Sequence, residues 1–225
     1  MFSYYGRKAR VARLYPAPSF PTVVEPFAGS IAYSERWLPL LDRVIAVECD
    51  LAVADLLRRV IAMTPDDIAA LPDLHVGEVT ADPLHIVMTA SKRWWTFRKI
   101  TTTPIMVTNW NLARRRWARN AAHFSKIEVV TGDYRDAPRL DDATYFVDPP
   151  YRGEPGTGYR FGSGSVDYAA LAEWCRDLPG QVIVCEGAGA DWLPFEPLTS
   201  TQVGVGGKLN TEMVWLNDGD HGRLL

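Results

Sequence analysis

The sequence predicts one α/β domain with a mostly parallel sheet, an antiparallel C-terminal hairpin and a single small basic insertion. Three observations carry this. Short apolar runs alternate with helical segments, the pattern of parallel strands joined by crossover helices. Four of those runs end in motifs that bear an acid or a glycine. One stretch, residues 83–127, departs from the rest in both rhythm and charge.

The elements follow in chain order. Val23-Val24 forms a short strand that runs into a tight turn, Glu25-Pro26-Phe27-Ala28-Gly29-Ser30, where Gly29 permits close backbone approach. Ser34 to Leu41 reads as a helix. Arg43-Val44-Ile45-Ala46-Val47-Glu48 is a second apolar strand that ends on an acid. Asp50 is placed to cap a helix from Leu51 to Met63, whose apolar positions recur at helical spacing. Asp66 to Leu71 adds a short helical turn.

The basic stretch breaks this alternation. Between Pro83 and Ile127 there is no Asp or Glu, but there are nine cations: Lys92, Arg93, Arg98, Lys99, Arg114, Arg115, Arg116, Arg119 and Lys126. The stretch is therefore +9, and the remaining 15 Lys or Arg against 27 Asp or Glu leave −12 elsewhere, for a net charge of −3. A basic module on an acidic body is the electrostatic footprint of a polyanion partner. Thr101-Thr102-Thr103-Pro104 reads as a loop, and Asn109 or Asn111 as the cap of a helix reaching about Ser125. Trp94, Trp95 and Trp117 are assigned to the core ahead of stacking platforms.

The strand–helix rhythm then resumes. Ile127-Glu128-Val129-Val130 is a strand that ends at Gly132-Asp133-Tyr134, and Tyr145-Phe146-Val147 is a strand that ends at Asp148. Gly153, Gly156, Gly158, Gly162 and Gly164 make the next stretch a mobile loop. Asp167 caps a helix from Tyr168 to Asp177, and Gln181 to Cys185 is another strand. Thr199 to Val205 and Asn210 to Leu216, around Gly206-Gly207, read as the closing hairpin.

Parallel strands place all their C-terminal ends on one edge, where open α/β sheets bind ligands. The tetrapeptide Asp148-Pro149-Pro150-Tyr151 sits there, and its groups suit a flat base that carries an exocyclic amine. An acid and a prolyl carbonyl accept from the amine, and an aromatic ring stacks on the base. Glu48, about twenty residues after the glycine turn, is placed for ribose hydroxyls. Asp133 is placed to accept from an adenine amine. Each motif taken singly has a plain alternative as a turn or a helix cap.

Composition excludes other classes. Of 225 residues 47% are hydrophobic, enough for a substantial core, yet no apolar stretch approaches the roughly 20 residues of a membrane span. Met1-Phe2-Ser3-Tyr4-Tyr5-Gly6-Arg7-Lys8 lacks the apolar centre of a secretory signal. Cys49, Cys175 and Cys185 are far apart and in no CxxC pair, which implies reduced thiols, no zinc site and a cytoplasmic protein.

Taken in order, these motifs resemble the DNA N6-adenine methyltransferases whose cofactor motif comes first and whose recognition segment precedes the catalytic motif. Tyr4-Tyr5-Gly6-Arg7-Lys8 resembles the opening motif, in which an aromatic and a lysine four residues later contact S-adenosylmethionine. Glu25-Pro26-Phe27-Ala28-Gly29-Ser30 resembles the glycine-bearing cofactor motif, with Ile31 where the family usually has a second glycine. Glu48 matches the ribose-binding acid, Gly132-Asp133-Tyr134 the adenine-holding motif, and Asp148-Pro149-Pro150-Tyr151 the catalytic signature.

The resemblance implies a Rossmann-like methyltransferase sheet, with a catalytic domain over 1–82 and 127–225 and a DNA-recognition insertion over 83–126. It also implies S-adenosylmethionine as cofactor and methylation of a flipped adenine in double-stranded DNA. Asp148 and the Pro149 carbonyl hold the amine, Tyr151 stacks on the base and the glycine-rich loop closes over it. Lys8 pairs with the cofactor carboxylate. Lys92, Arg93, Arg98, Lys99, Arg114, Arg115, Arg116 and Arg119 contact phosphates. A partner restriction endonuclease is a candidate, and the chain is expected to act as a monomer or weak dimer away from membranes. The rivals are an RNA base amino-methyltransferase and a nucleic-acid-binding homologue impaired in catalysis.

Overall fold

Alternation of apolar side chains along each central strand builds a sheet buried on both faces. The computed structural model describes residues 1–8, 11–203 and 208–217. In chain order the elements are β1 (Thr22–Glu25), α1 (Ala32–Trp37), β2 (Arg43–Glu48), α2 (Leu51–Ile61), α3 (Pro65–Ala69), β3 (Val79–Thr80), α4 (Pro83–Ile86), β4 (Ile100–Thr101), α5 (Pro104–Asn120), β5 (Ile127–Thr131), β6 (Ala143–Val147), α6 (Tyr168–Arg176), β7 (Gln181–Gly187), β8 (Glu196–Val203) and β9 (Lys208–Leu216). The sheet order is β5-β2-β1-β6-β7-β9-β8. The pairings among β5, β2, β1, β6 and β7 are parallel, and β9 pairs antiparallel with both β7 and β8. This is the predicted Rossmann-like, mostly parallel sheet with its antiparallel closing hairpin. Among the described residues no helix is long and apolar enough to cross a membrane.

Two cores follow from the period of two along each strand. Val23, Val44, Ala46, Phe146, Ile183 and Cys185 face one core with α2, and Val24, Ile45, Val47, Tyr145, Val147, Val182 and Val184 face the other with Leu171, Ala172 and Cys175 of α6. The basic stretch contributes Trp94, Met106, Trp110, Ala113 and Trp117 to the first of these cores. Its apolar side is thus continuous with the sheet, and only its other side is left for cations. Trp94 and Trp117 are buried and Trp95 half-buried, in keeping with their assignment to the core.

Several predicted boundaries moved, for local reasons. The helix expected at Ser34 starts at Ala32 and gives way to a 3-10 turn at Leu38–Leu40, where Pro39 cannot continue the helical ladder. Thr101 is not in a loop: β4 pairs with β3 in a small hairpin. The helix expected to start at Asn109 or Asn111 begins at Pro104, the favoured first helical position, and ends at Asn120 before a 3-10 turn over Ala121–Lys126. The Asn109 amide instead donates to the Met88 carbonyl at 2.7 Å. The predicted caps at Asp50 and Asp167 are present, each accepting from the amide two residues on. Gly206-Gly207 of the expected hairpin turn lie outside the described residues.

Candidate active site

Strand β1 leads through α1 to β2 on one side, whereas β6 and β7 lie on the other, so the order of strand addition switches between the parallel neighbours β1 and β6. A cavity of about 1120 Å³, counted to its open mouth, lies at this point along the C-terminal edge. Of the predicted site residues, Tyr4, Lys8, Glu25, Pro26, Phe27, Ala28, Gly29, Glu48, Asp133, Tyr134, Asp148 and Pro150 line it. Pro149 and Tyr151 do not.

The side formed by β1 and β2 is built from backbone bonds. Gly29, at φ 49°, donates its amide to Glu48 Oε2 at 2.8 Å, and the Asp50 amide donates to Oε1 at 2.8 Å. Burial pushes the Glu48 carboxyl up to about 6, and those two amides oppose the rise. Glu25 is buried, accepts from the Ser34 amide at 2.8 Å, and is pushed up to about 7 by burial. It therefore serves the start of α1 from the cavity wall. Ile31, where a second glycine was expected, is fully buried and left-handed at φ 45°. Phe27 stacks on Tyr134 with ring centres 5.5 Å apart. Asp133 Oδ1 is turned to Arg135 Nε at 2.6 Å, so this acid is already shared with a neighbour.

The opening segment and the glycine-rich loop roof this side together. Tyr159 packs on Tyr4 and Tyr5 with ring centres 6.0 and 5.1 Å away. Gly6, at φ 77°, leaves room for Tyr159: a Cβ there would stand 1.7 Å from its hydroxyl. Arg160 reaches Asp50 at 3.4 Å. The loop expected over a flipped base thus forms two 3-10 turns, Glu154–Gly158 and Ser163–Ser165, and packs over the β1–β2 side.

At the β6 end the lysine of the opening segment is the surprise. Lys8 is buried and its Nζ lies 2.8 Å from Asp148 Oδ1. Burial pushes the Asp148 carboxyl up to about 6, against the pull of Lys8. Burial works against the Lys8 ammonium too, but Asp148, Tyr151 and Glu212 outweigh it and hold its pKa well above the ordinary lysine value. Lys8, expected to pair with a cofactor carboxylate, is thus paired with Asp148 in this structure. Tyr151 lies beneath it, with the ring centre 4.3 Å from Nζ and the hydroxyl donating to Glu212.

Sequence reasoning missed Glu212 and Glu186 here. Glu212 also accepts from the Tyr15 hydroxyl at 2.5 Å. Glu186 is buried, accepts the Trp192 indole N–H at 2.9 Å and accepts the Arg152 amide at 3.2 Å, which pins the turn after Tyr151. Only the antiparallel register, with Gly187 opposite Glu212, brings Glu212 to this edge. A lone acid in an alternating strand carries no signal of that.

The basic stretch reaches the mouth of the cavity. Lys92 Nζ is 5.2 Å from the centre of the Tyr5 ring. Lys92, Arg93, Arg98, Lys99, Arg115 and Arg119 are exposed. Two others are committed within the chain: Arg114 pairs with Asp73 at 2.6 Å, and half-buried Arg116 lies 3.4 Å from Glu35 and donates to the Met1 carbonyl at 3.2 Å.

No family model and no curated protein matches the chain. Among solved structures it is similar to a conserved hypothetical protein of Streptococcus pyogenes, at 11% identity and a TM-score of 0.42, over 97% of this chain and 99% of that one. It is also similar to the rRNA methyltransferase AviRa from Streptomyces viridochromogenes, at 16% identity and a TM-score of 0.43, over 92% of this chain and 80% of that one. Neither likeness assigns an activity, and what this site does is read from its own residues.

Proposed function

We propose that the chain is an S-adenosylmethionine-dependent methyltransferase acting on the exocyclic amine of a flipped adenine in double-stranded DNA. The observation that carries this is one cavity with Glu48 at one end and Asp148 at the other. Two strand-end carboxylates, Glu48 buried and Asp148 half-buried, suit a ribose and an amine respectively.

The residues present fit the cofactor. Glu48 is already oriented by two amides and keeps lone pairs for ribose hydroxyls, and Asp133 and the Phe27 ring wall the adenine end. Gly29 and Tyr4 border the methionine end. When bound, S-adenosylmethionine would supply an electrophilic methyl on a sulfonium: the amine nitrogen would form its bond to that carbon as the carbon–sulfur bond breaks, the sulfur would leave as a neutral thioether, and the nitrogen would lose one proton.

The chain supplies the rest. An adenine amine is a weak nucleophile because its lone pair is delocalised into the ring. Asp148, when ionised, accepts one N–H and favours a tetrahedral nitrogen. Positive charge grows on that nitrogen as the new bond forms, so a preorganised carboxylate stabilises the transition state more than the ground state. Asp148 then takes the released proton, for which a carboxyl pushed up to about 6 is suited. Exposed Lys92, Arg93, Arg98, Lys99, Arg115 and Arg119 contact phosphates, and extrusion of the base costs a few kcal/mol.

The test is incubation of unmethylated plasmid, and separately of total RNA, with methyl-labelled S-adenosylmethionine, followed by nucleoside analysis. Label in DNA N6-methyladenine that disappears in Asp148→Ala is expected. Label only in RNA, or only in cytosine, overturns the reading.

A further inference from the structure

Lys8 stands where the target amine has to go. Its ammonium is 2.8 Å from Asp148 Oδ1 and 4.3 Å from the centre of the Tyr151 ring. Asp148 is the group that the proposed function gives to the base amine, and Tyr151 is the ring that the sequence resemblance gives to its face. An ammonium paired with the acid and seated over the ring excludes a base amine from the same place. A buried cation driven off with no partner is costly, so it needs a second anion within reach.

Glu212 is that anion. Its Oε1 is 3.7 Å from Lys8 Nζ, so a shift of roughly 1 Å makes a hydrogen-bonded pair. The Tyr15 and Tyr151 hydroxyls both donate to this oxygen and hold the carboxylate in place. It belongs to β9, paired antiparallel on both sides, and stands opposite Gly187 at the end of β7.

We infer that Lys8 occupies the acceptor site of the free protein, and that Glu212 is a positioning residue that receives the ammonium when a base amine takes Asp148. This rests on Asp148 and Tyr151 being the acceptor groups of the proposed reaction. The exchange keeps one cation beside two carboxylates throughout. Asp148 thus stays ionised while the amine enters, and Tyr151 stays tethered.

The experiment follows the side-chain ammonium signals of the full chain labelled with ¹⁵N-lysine. A protected Lys8 signal, identified by its loss in Lys8→Met, is expected in the free protein. It persists at a shifted frequency in Asp148→Asn, because Glu212 takes over, and it vanishes in Asp148→Asn combined with Glu212→Gln. Loss in Asp148→Asn alone, with the fold intact by circular dichroism, overturns the inference; Asp148→Ser replaces that variant if it does not fold.

Kinetics give a second measure that a merely structural role would not reproduce. Glu212→Gln raises the KM for the nucleic acid about tenfold, with cofactor affinity held, and adds nothing further in the Lys8→Met background. Additive losses overturn the inference. A chain that shows the ammonium pattern but methylates no nucleic acid refutes the methyl-transfer reading and upholds the exchange of counter-ions.

Discussion

Gly29 and Ile31, two residues apart in the turn after β1, both hold a left-handed backbone, at φ 49° and 45°. A β-branched residue there is a true outlier, strained by roughly 1–2 kcal/mol. Ile31 has nevertheless kept the course of a turn that glycine would adopt freely. Its amide donates to the Ala28 carbonyl at 2.7 Å, and its side chain is wholly buried in the core.

Replacing it separates strain from packing. Ile31→Gly relieves the backbone but empties a core position, a loss of about 2–5 kcal/mol, so packing wins and the net cost is about 2 kcal/mol. Ile31→Ala retains the strain and costs about 1 kcal/mol more. Urea unfolding of both variants decides, and an alanine variant more stable than the glycine one refutes the argument.

The proposed function divides the labour of the cavity between Glu48 and Asp148. Glu48→Ala is expected to weaken S-adenosylmethionine binding by about 10–100-fold, roughly 1.4–2.8 kcal/mol. Asp148→Ala leaves that affinity within a few-fold and abolishes transfer. Calorimetry against turnover separates the two, and equal losses of binding would refute the division.

Under the proposed function, activity depends on the ionised form of Asp148. Its pKa is raised to about 6, so kcat/KM falls as pH drops through about 6. Lys8 holds this value down, whereas burial, Glu212 and Glu186 push it up; Glu25, another buried carboxylate, feels Asp148 in the same sense. Lys8→Met therefore moves the acidic limb above 6, and Glu212→Gln moves it below. A limb that moves the other way in either variant contradicts the assignment.

Under the proposed function, the basic stretch divides into binding and structural cations. Neutralising Arg98, Lys99, Arg115 or Arg119, all exposed, should lower the slope of log binding constant against log salt by about 0.9 each on double-stranded DNA, without shifting the melting temperature. Arg116→Ala behaves differently. Burial raises the Glu35 carboxyl, but the Met1 amino group, Arg7 and Arg116 outweigh it and hold it at about 2. Loss of one partner from this buried cluster costs about 3 kcal/mol. Thermal melts beside salt titrations test both halves, and a melt unchanged in Arg116→Ala rules the cluster out.

The strands and their caps were legible because their signals are local. Val44 to Val47, Tyr145 to Val147, Asp50 and Asp167 act through burial period and through amides two residues away. The Thr103-Pro104 helix start was misread because an asparagine signals a cap only if its side chain is free, and Asn109 is bonded to Met88.

By itself the sequence determined which motifs stand at strand ends, since a parallel sheet puts every such end on one edge. That is enough to bring Gly29, Glu48, Asp133 and Asp148 to a common cavity. Only the tertiary structure decided what those groups touch. The partner of Lys8, the roof formed by Tyr159 and the arrival of Glu212 from β9 depend on contacts between segments far apart in the chain. Periodicity reports which way a side chain faces, but a pair of charges is made by distance, and distance across the sheet is written in no single segment.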